Sequence, residues 1–159
     1  MQWEKATDVI LLASLITLGV FAILGLCQWI RRRSLKKVDK QLLWMLLPLF
    51  LMVVTYVIFE KFLILNTRPN GSGEPSFPST HTMIVATIFL LTAIALPKYI
   101  SSKTARIVLD LLMLTFVALV CVGRVLANMH WVSDVIGGLV FACIFGFIYY
   151  LTIRSKKNG

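Results

Sequence analysis

Five apolar runs, each close to the length a bilayer demands, constrain this chain more than any other feature. They cover Val9 to Ile30, Leu42 to Phe59, Thr80 to Pro97, Ile107 to Gly123 and Val132 to Ile153. A helix needs roughly 20 apolar residues to cross the hydrocarbon core. The expected fold class is therefore all-α: a polytopic transmembrane helical bundle of about five spans, one unit over residues 1–159. A composition 58% hydrophobic and only 14% charged excludes an ordinary soluble domain. No linker, low-complexity tract or long-period repeat divides the chain. The first run is too long for a signal-peptide core and carries its positive charges after it, in RRRSLKK, so it is expected to stay in the membrane. The third reaches spanning length only if its helix starts at Pro78–His81. The fourth holds Asp110, one turn from Arg106, and an interfacial pair is expected there rather than a buried proton relay. Cys27, Cys121 and Cys143 have no paired spacing and are assigned to packing.

A net charge of +9 raises the question of nucleic acid, but the cations cluster between apolar runs, as in cytoplasmic loops. No nucleic-acid partner is expected. Twelve of the sixteen Lys and Arg fall on one side: Arg31, Arg32, Arg33, Lys36, Lys37, Lys40, Lys98, Lys103, Arg106, Arg154, Lys156 and Lys157. The positive-inside rule makes that side cytoplasmic, with the N-terminus outside and the C-terminus inside. Only Lys5, Lys61, Arg68 and Arg124 remain for the outer side, where Trp3 and Trp131 fit interfacial anchoring. Three of these four lie in two connections that also carry both histidines, and such local enrichment asks for a function.

The first connection, KFLILNTRPNGSGEPSFPSTH, offers Lys61, Arg68, Ser79 and His81; the second, GRVLANMHWVSD, offers Arg124, His130 and Asp134. Converging cations suit a phosphate, Arg through forked donors and Lys as a point charge. A helix starting near Ser79 adds backbone N–H groups and a positive dipole end, although Ser79 and Thr80 could equally be plain capping residues. If the last helix begins by Met129, His130 and Asp134 share a face, and the carboxylate can accept from one ring nitrogen while the other keeps its lone pair for nucleophilic or base chemistry. His81 could then donate a proton to a leaving group. Against this stand bland alternatives: interfacial histidines, snorkelling cations and a helix-surface hydrogen bond. Two His and one Asp make a thin metal shell, so no metal or other cofactor is expected.

These residues resemble the type 2 phosphatidic acid phosphatase family, membrane lipid phosphatases related to vanadium haloperoxidases. Its signature has three parts: a lysine, six residues, then Arg-Pro; Pro-Ser-Gly-His; and Ser-Arg, five residues, His, three residues, Asp. Here they read Lys61 with Arg68-Pro69; Pro78-Ser79-Thr80-His81; and Gly123-Arg124, His130 and Asp134, with the same internal spacings. The resemblance implies that Lys61, Arg68, Ser79 and Arg124 hold the phosphate. It implies that His130 is the nucleophile forming a phosphohistidine, that Asp134 orients it, and that His81 protonates the leaving oxygen. Thr80 replaces a glycine and is expected to shape the pocket; Gly123 replaces a serine and removes a hydroxyl. The family commonly has six spans, and loss of the first would account for five and an outside N-terminus. Gly137 and Gly138 are expected to help helix packing.

The expected activity is extracytoplasmic, metal-independent hydrolysis of a lipid phosphate in a bacterial plasma membrane. Undecaprenyl diphosphate stands first by analogy with carrier-lipid recycling. Phosphatidylglycerophosphate, phosphatidic acid and lipid phosphotransfer are the alternatives, and a non-enzymatic anion- or headgroup-binding protein is the further rival. The expected partners are the lipid phosphate substrate and membrane lipids.

Overall fold

The computed structural model describes residues 2–155. Lys156 and Lys157 of the basic set lie outside the described residues. Five long helices follow in order, α1 (Gln2–Arg32), α2 (Lys40–Lys61), α3 (Thr80–Tyr99), α4 (Lys103–Leu126) and α5 (Val132–Ser155), with a short 3-10 turn at Leu35–Lys37 before α2. All five are long and apolar enough to cross a membrane. Among the described residues there is no strand, only an isolated bridge between Thr67 and Pro75. The first helix starts at Gln2 rather than near Val9, so it carries Glu4, Thr7 and Asp8 on a helical face ahead of the apolar run.

Local chemistry sets the other starts. Asp39 caps α2 by accepting from Gln41 N at 3.1 Å, and Ser102 caps α4 by accepting from Ala105 N at 3.3 Å. At α5 Asp134 supplies the third-residue half of a capping box, its Oδ2 accepting from Trp131 N at 2.9 Å. Ser79 is the N-cap of α3 but makes no side-chain capping bond.

The central helix is α3, with 61% of its spanning window buried against 11% for α1 and for α4. Ile10, Val85, Phe89, Met113 and Val120 pack α1, α3 and α4 together. Phe21, Leu42, Met45, Leu91, Ala95 and Tyr149 join α1, α2, α3 and α5. Lipid tails are as apolar as these side chains, so close backbone approach has to supply much of the association. A Cβ on Gly138 would lie 2.9 Å from Ser79 O and 3.1 Å from Met83 N, and one on Gly137 would collide with the Phe77 ring. Gly138 therefore marks close packing of α5 on the start of α3, and Gly137 on the connection that leads into it.

At the basic end of the bundle Asp39 pairs with Lys98 and accepts from Tyr99 Oη at 2.8 Å, while Tyr149 Oη donates to Gln41 O at 3.1 Å. Burial would raise the Asp39 carboxyl, but the hydrogen bonds from Lys98, Tyr99 and the Gln41 amide outweigh it and hold it below its ordinary range. This ties the α1–α2 connection to the end of α3.

Two local expectations fail. Arg106 and Asp110 form no ion pair among the described residues; Asp110 is exposed beside a groove lined by Leu90, Ala93, Leu114 and Cys143. Arg106 is only partly exposed, with its Nε buried and without a partner among the described residues, whereas Asp110 is exposed. Cys27 and Cys143 are exposed on helix surfaces rather than packed, and only Cys121 is half-buried.

Candidate active site

At the opposite end the α2–α3 connection folds back on itself. Arg68 N donates to Glu74 O at 3.0 Å and Ser76 N to Asn66 O at 2.9 Å. Gly71 and Gly73 make the reversal with φ of 77° and 74°, a region that costs glycine nothing. The folded connection is stitched to α5. Ser79 N donates to Asp134 O at 2.9 Å, Trp131 Nε1 to Thr67 O at 2.9 Å, and Asn66 Nδ2 to Asp134 Oδ1 at 3.4 Å.

These stitches decide the setting of His130, which lies just ahead of α5 and is only 4% exposed. Its Nδ1 is 2.8 Å from Ser76 O. A carbonyl can only accept, so Nδ1 bears the hydrogen and Nε2 keeps its lone pair. Asp134 Oδ2 is 3.8 Å from Nδ1, beyond hydrogen-bond reach. The expected carboxylate bond to the ring is therefore replaced by a backbone carbonyl. The reason is local: α5 begins at Val132, not Met129, so His130 is off the helix and Asp134 turns its oxygen to the Trp131 amide. Burial pushes His130 down from the ordinary histidine range to about 4, with the Arg124 charge acting the same way, against the Ser76 bond and Asp134. The ring is neutral at pH 7.

Arg124, 3% exposed, is held from α1: its Nη1 donates to Thr7 Oγ1 at 3.5 Å and stands 4.0 Å from Asp8 Oδ1, and its Nε is buried without a partner. Gly123 makes that approach possible, since a Cβ there would lie 2.6 Å from Thr7 Cγ2. His81, in the first turn of α3, places Nε2 at 2.9 Å from the same Asp8 oxygen. Arg68 is paired with Glu74 at 2.7 Å, and its Nε is likewise buried without a partner.

The remaining expected site residues are less engaged. Ser79 is fully buried, and its hydroxyl accepts from Thr82 Oγ1 at 3.1 Å rather than facing an open pocket. Thr80 lines a small cavity against α2 with Tyr56, Phe59 and Glu60. Lys61 is exposed at the end of α2 and, among the described residues, makes no hydrogen bond or ion pair with the others.

Sequence reasoning missed the Ser76 carbonyl, Thr7 and Asp8. A backbone acceptor leaves no signature, but an acid at the head of an apolar run, on the same side as both histidines, was a signal for Asp8. Together the site holds one buried and one half-buried guanidinium group, each with a buried Nε that has no partner, an oriented neutral imidazole and a second imidazole bonded to a carboxylate. That set suits an anionic phosphorus centre.

The comparisons agree with the signature. The PAP2 superfamily matches residues 58–157, well over half of the chain and the whole stretch from Lys61 to Asp134. Among solved structures, a transmembrane PAP2-type phosphatidylglycerolphosphate phosphatase from Bacillus subtilis is similar in fold, with a TM-score of 0.68 at 20% identity over 97% of this chain and 76% of that one. No curated protein matches the chain. By its matched segment, its signature residues and its five-helix membrane fold, the chain belongs to the PAP2 superfamily, the type 2 phosphatidic acid phosphatases, as an integral-membrane phosphatase.

Proposed function

We propose that the protein hydrolyses lipid phosphates at the extracytoplasmic face through a phosphohistidine on His130. The observation that carries this reading is the 2.8 Å contact of His130 Nδ1 with the Ser76 carbonyl, which leaves Nε2 as a lone-pair nucleophile in a neutral ring. In the first step Nε2 attacks phosphorus, the bond to the leaving oxygen breaks, and His81 gives that oxygen its proton. In the second, His81 takes a proton from water, the hydroxide oxygen attacks phosphorus, the P–N bond breaks and inorganic phosphate leaves. Arg68 and Arg124 hold the phosphoryl oxygens, with the backbone at Ser79 and Lys61 at the rim of the site. Asp134, 3.8 Å from His130 Nδ1, faces the positive charge that forms on the phosphorylated ring.

Glu74 holds Arg68 before substrate arrives, and a phosphate has to compete with it. The extracytoplasmic assignment rests on the twelve-to-four division of Lys and Arg between the two sides. Undecaprenyl diphosphate is the substrate we place first, by family analogy. Phosphatidylglycerophosphate and phosphatidic acid are its competitors.

The test is phosphate release by purified protein in detergent with EDTA, from each of these three lipids, for wild type and His130→Ala. Metal-independent release abolished by the substitution is expected, with the diphosphate turned over fastest. Faster turnover of phosphatidic acid would overturn the substrate order. Release that survives His130→Ala would overturn the mechanism, and a phosphorylated acceptor lipid with little free phosphate would make the enzyme a phosphotransferase.

A further inference from the structure

The first helix brings to this site a carboxylate that belongs to none of the three signature motifs. Asp8 Oδ1 lies 2.9 Å from His81 Nε2 and 4.0 Å from Arg124 Nη1. Its side chain is 55% exposed, so burial does not force the contact. The placement comes instead from α1, which is seated against α4 at this level. Thr7 is buried, donates from Oγ1 to Glu4 O at 2.8 Å and accepts from Arg124, and Gly123 leaves room for its methyl group. One helical turn thus serves both the guanidinium and the imidazole.

A carboxylate oxygen only accepts, so His81 Nε2 carries a hydrogen whenever this contact is made. The other nitrogen, Nδ1, has no hydrogen-bond partner among the described residues. We propose that Asp8 is a positioning residue for His81: it accepts from Nε2–H, fixes the ring and its tautomer, and leaves Nδ1–H as the proton donor to the leaving oxygen. This rests on the hydrolytic reading above and names how its acid is held. The proton balance is consistent. The doubly protonated ring gives Nδ1–H to the leaving oxygen as the P–O bond breaks, and the neutral ring that remains is the Nε2–H tautomer, still bonded to Asp8. In the second step Nδ1 takes a proton back from the attacking water. Asp8 itself never changes protonation state.

A group that positions a general acid matters in proportion to how much the leaving oxygen needs a proton. The alkoxide from phosphatidic acid needs one most; the phosphate from a lipid diphosphate and the phenolate from 4-nitrophenyl phosphate are both far weaker bases and need one least. A purely structural role for Asp8 would lower all three alike.

The experiment measures kcat and KM for these three substrates in wild type, Asp8→Asn, His81→Ala, the double variant and His130→Ala, with thermal melting in detergent as the folding control. Asp8→Asn is expected to lower kcat on phosphatidic acid by about 10²-fold and to lower it far less on the diphosphate and on 4-nitrophenyl phosphate. In a His81→Ala background it should cost nothing further. Asp8→Ser serves the same comparison if the Asn variant does not fold. Equal loss on all three substrates, or a full additional loss in the double variant, would overturn the proposal while leaving the hydrolytic reading intact. A rise in kcat/KM would also overturn it, making Asp8 an anion that competes with phosphate for His81 and Arg124. Release that survives His130→Ala would overturn both readings.

Discussion

His130 and Asp134 stand four positions apart, and the spacing invites a carboxylate–imidazole pair, yet each side chain takes a different partner. The imidazole bonds the Ser76 carbonyl and the carboxylate bonds the amide that opens α5. This separates two effects that a paired geometry would merge. Asp134→Ala removes the cap and should cost about 1 kcal/mol of stability, read from thermal melting in detergent. Asp134→Asn keeps an acceptor for the Trp131 amide but loses the charge, so it should melt near wild type while kcat falls at least tenfold, as expected when an electrostatic partner of a developing charge is removed. The pH dependence follows from burial. His130 is held at about 4, so the nucleophile stays neutral down to that pH, and the acid limb of kcat/KM should lie near pH 4. A limb at the ordinary histidine value of about 6.5 would mean a solvated ring. The sign for stability agrees: between these two values the unfolded chain binds more protons than the folded one, so acidification through that window destabilises the fold.

At the scale of elements, two glycines set where helices can meet. Gly123 stands where the family signature has serine, and its lack of a Cβ lets Thr7 approach Arg124. Restoring the family residue should therefore harm this chain. Gly123→Ser is expected to push α1 outward, lower activity several-fold and lower the melting temperature; an unchanged enzyme would show that α1 yields freely at this point. At Gly138 the obstacle is backbone, Ser79 O and Met83 N, which cannot rotate away as a side chain can. Gly138→Ala should cost about 1–3 kcal/mol, again by melting in detergent. The spans themselves were legible in the sequence, because five apolar runs of bilayer length leave little else to build. The start of α1 was not. Its first turns are polar, and only contact with α4 and α3 gives Thr7 and Asp8 a helical partner.

For the whole molecule, the division of charge predicts a direction across the membrane. A cysteine at Ser72, in a background free of Cys27, Cys121 and Cys143, should react with an impermeant maleimide from outside intact cells; labelling only after permeabilisation would invert the proposed orientation. Two polar clusters close the bundle at its ends, Asp39 with Lys98 and Tyr99 at the basic end and the histidine site at the other. The sequence by itself determined the fold class and the number of spans, because hydrophobic length is a local property that a bilayer reads directly. It also determined which signature residues share one end, since alternating spans bring the two connections to the same side. Tertiary structure alone decided their partners. A carbonyl from the α2–α3 connection orients His130, the Ser79 hydroxyl accepts from Thr82, and Asp8 from a distant helix meets His81. Such contacts join residues far apart in the chain, through backbone groups or side chains with no fixed spacing, and they arise only once the helices have packed.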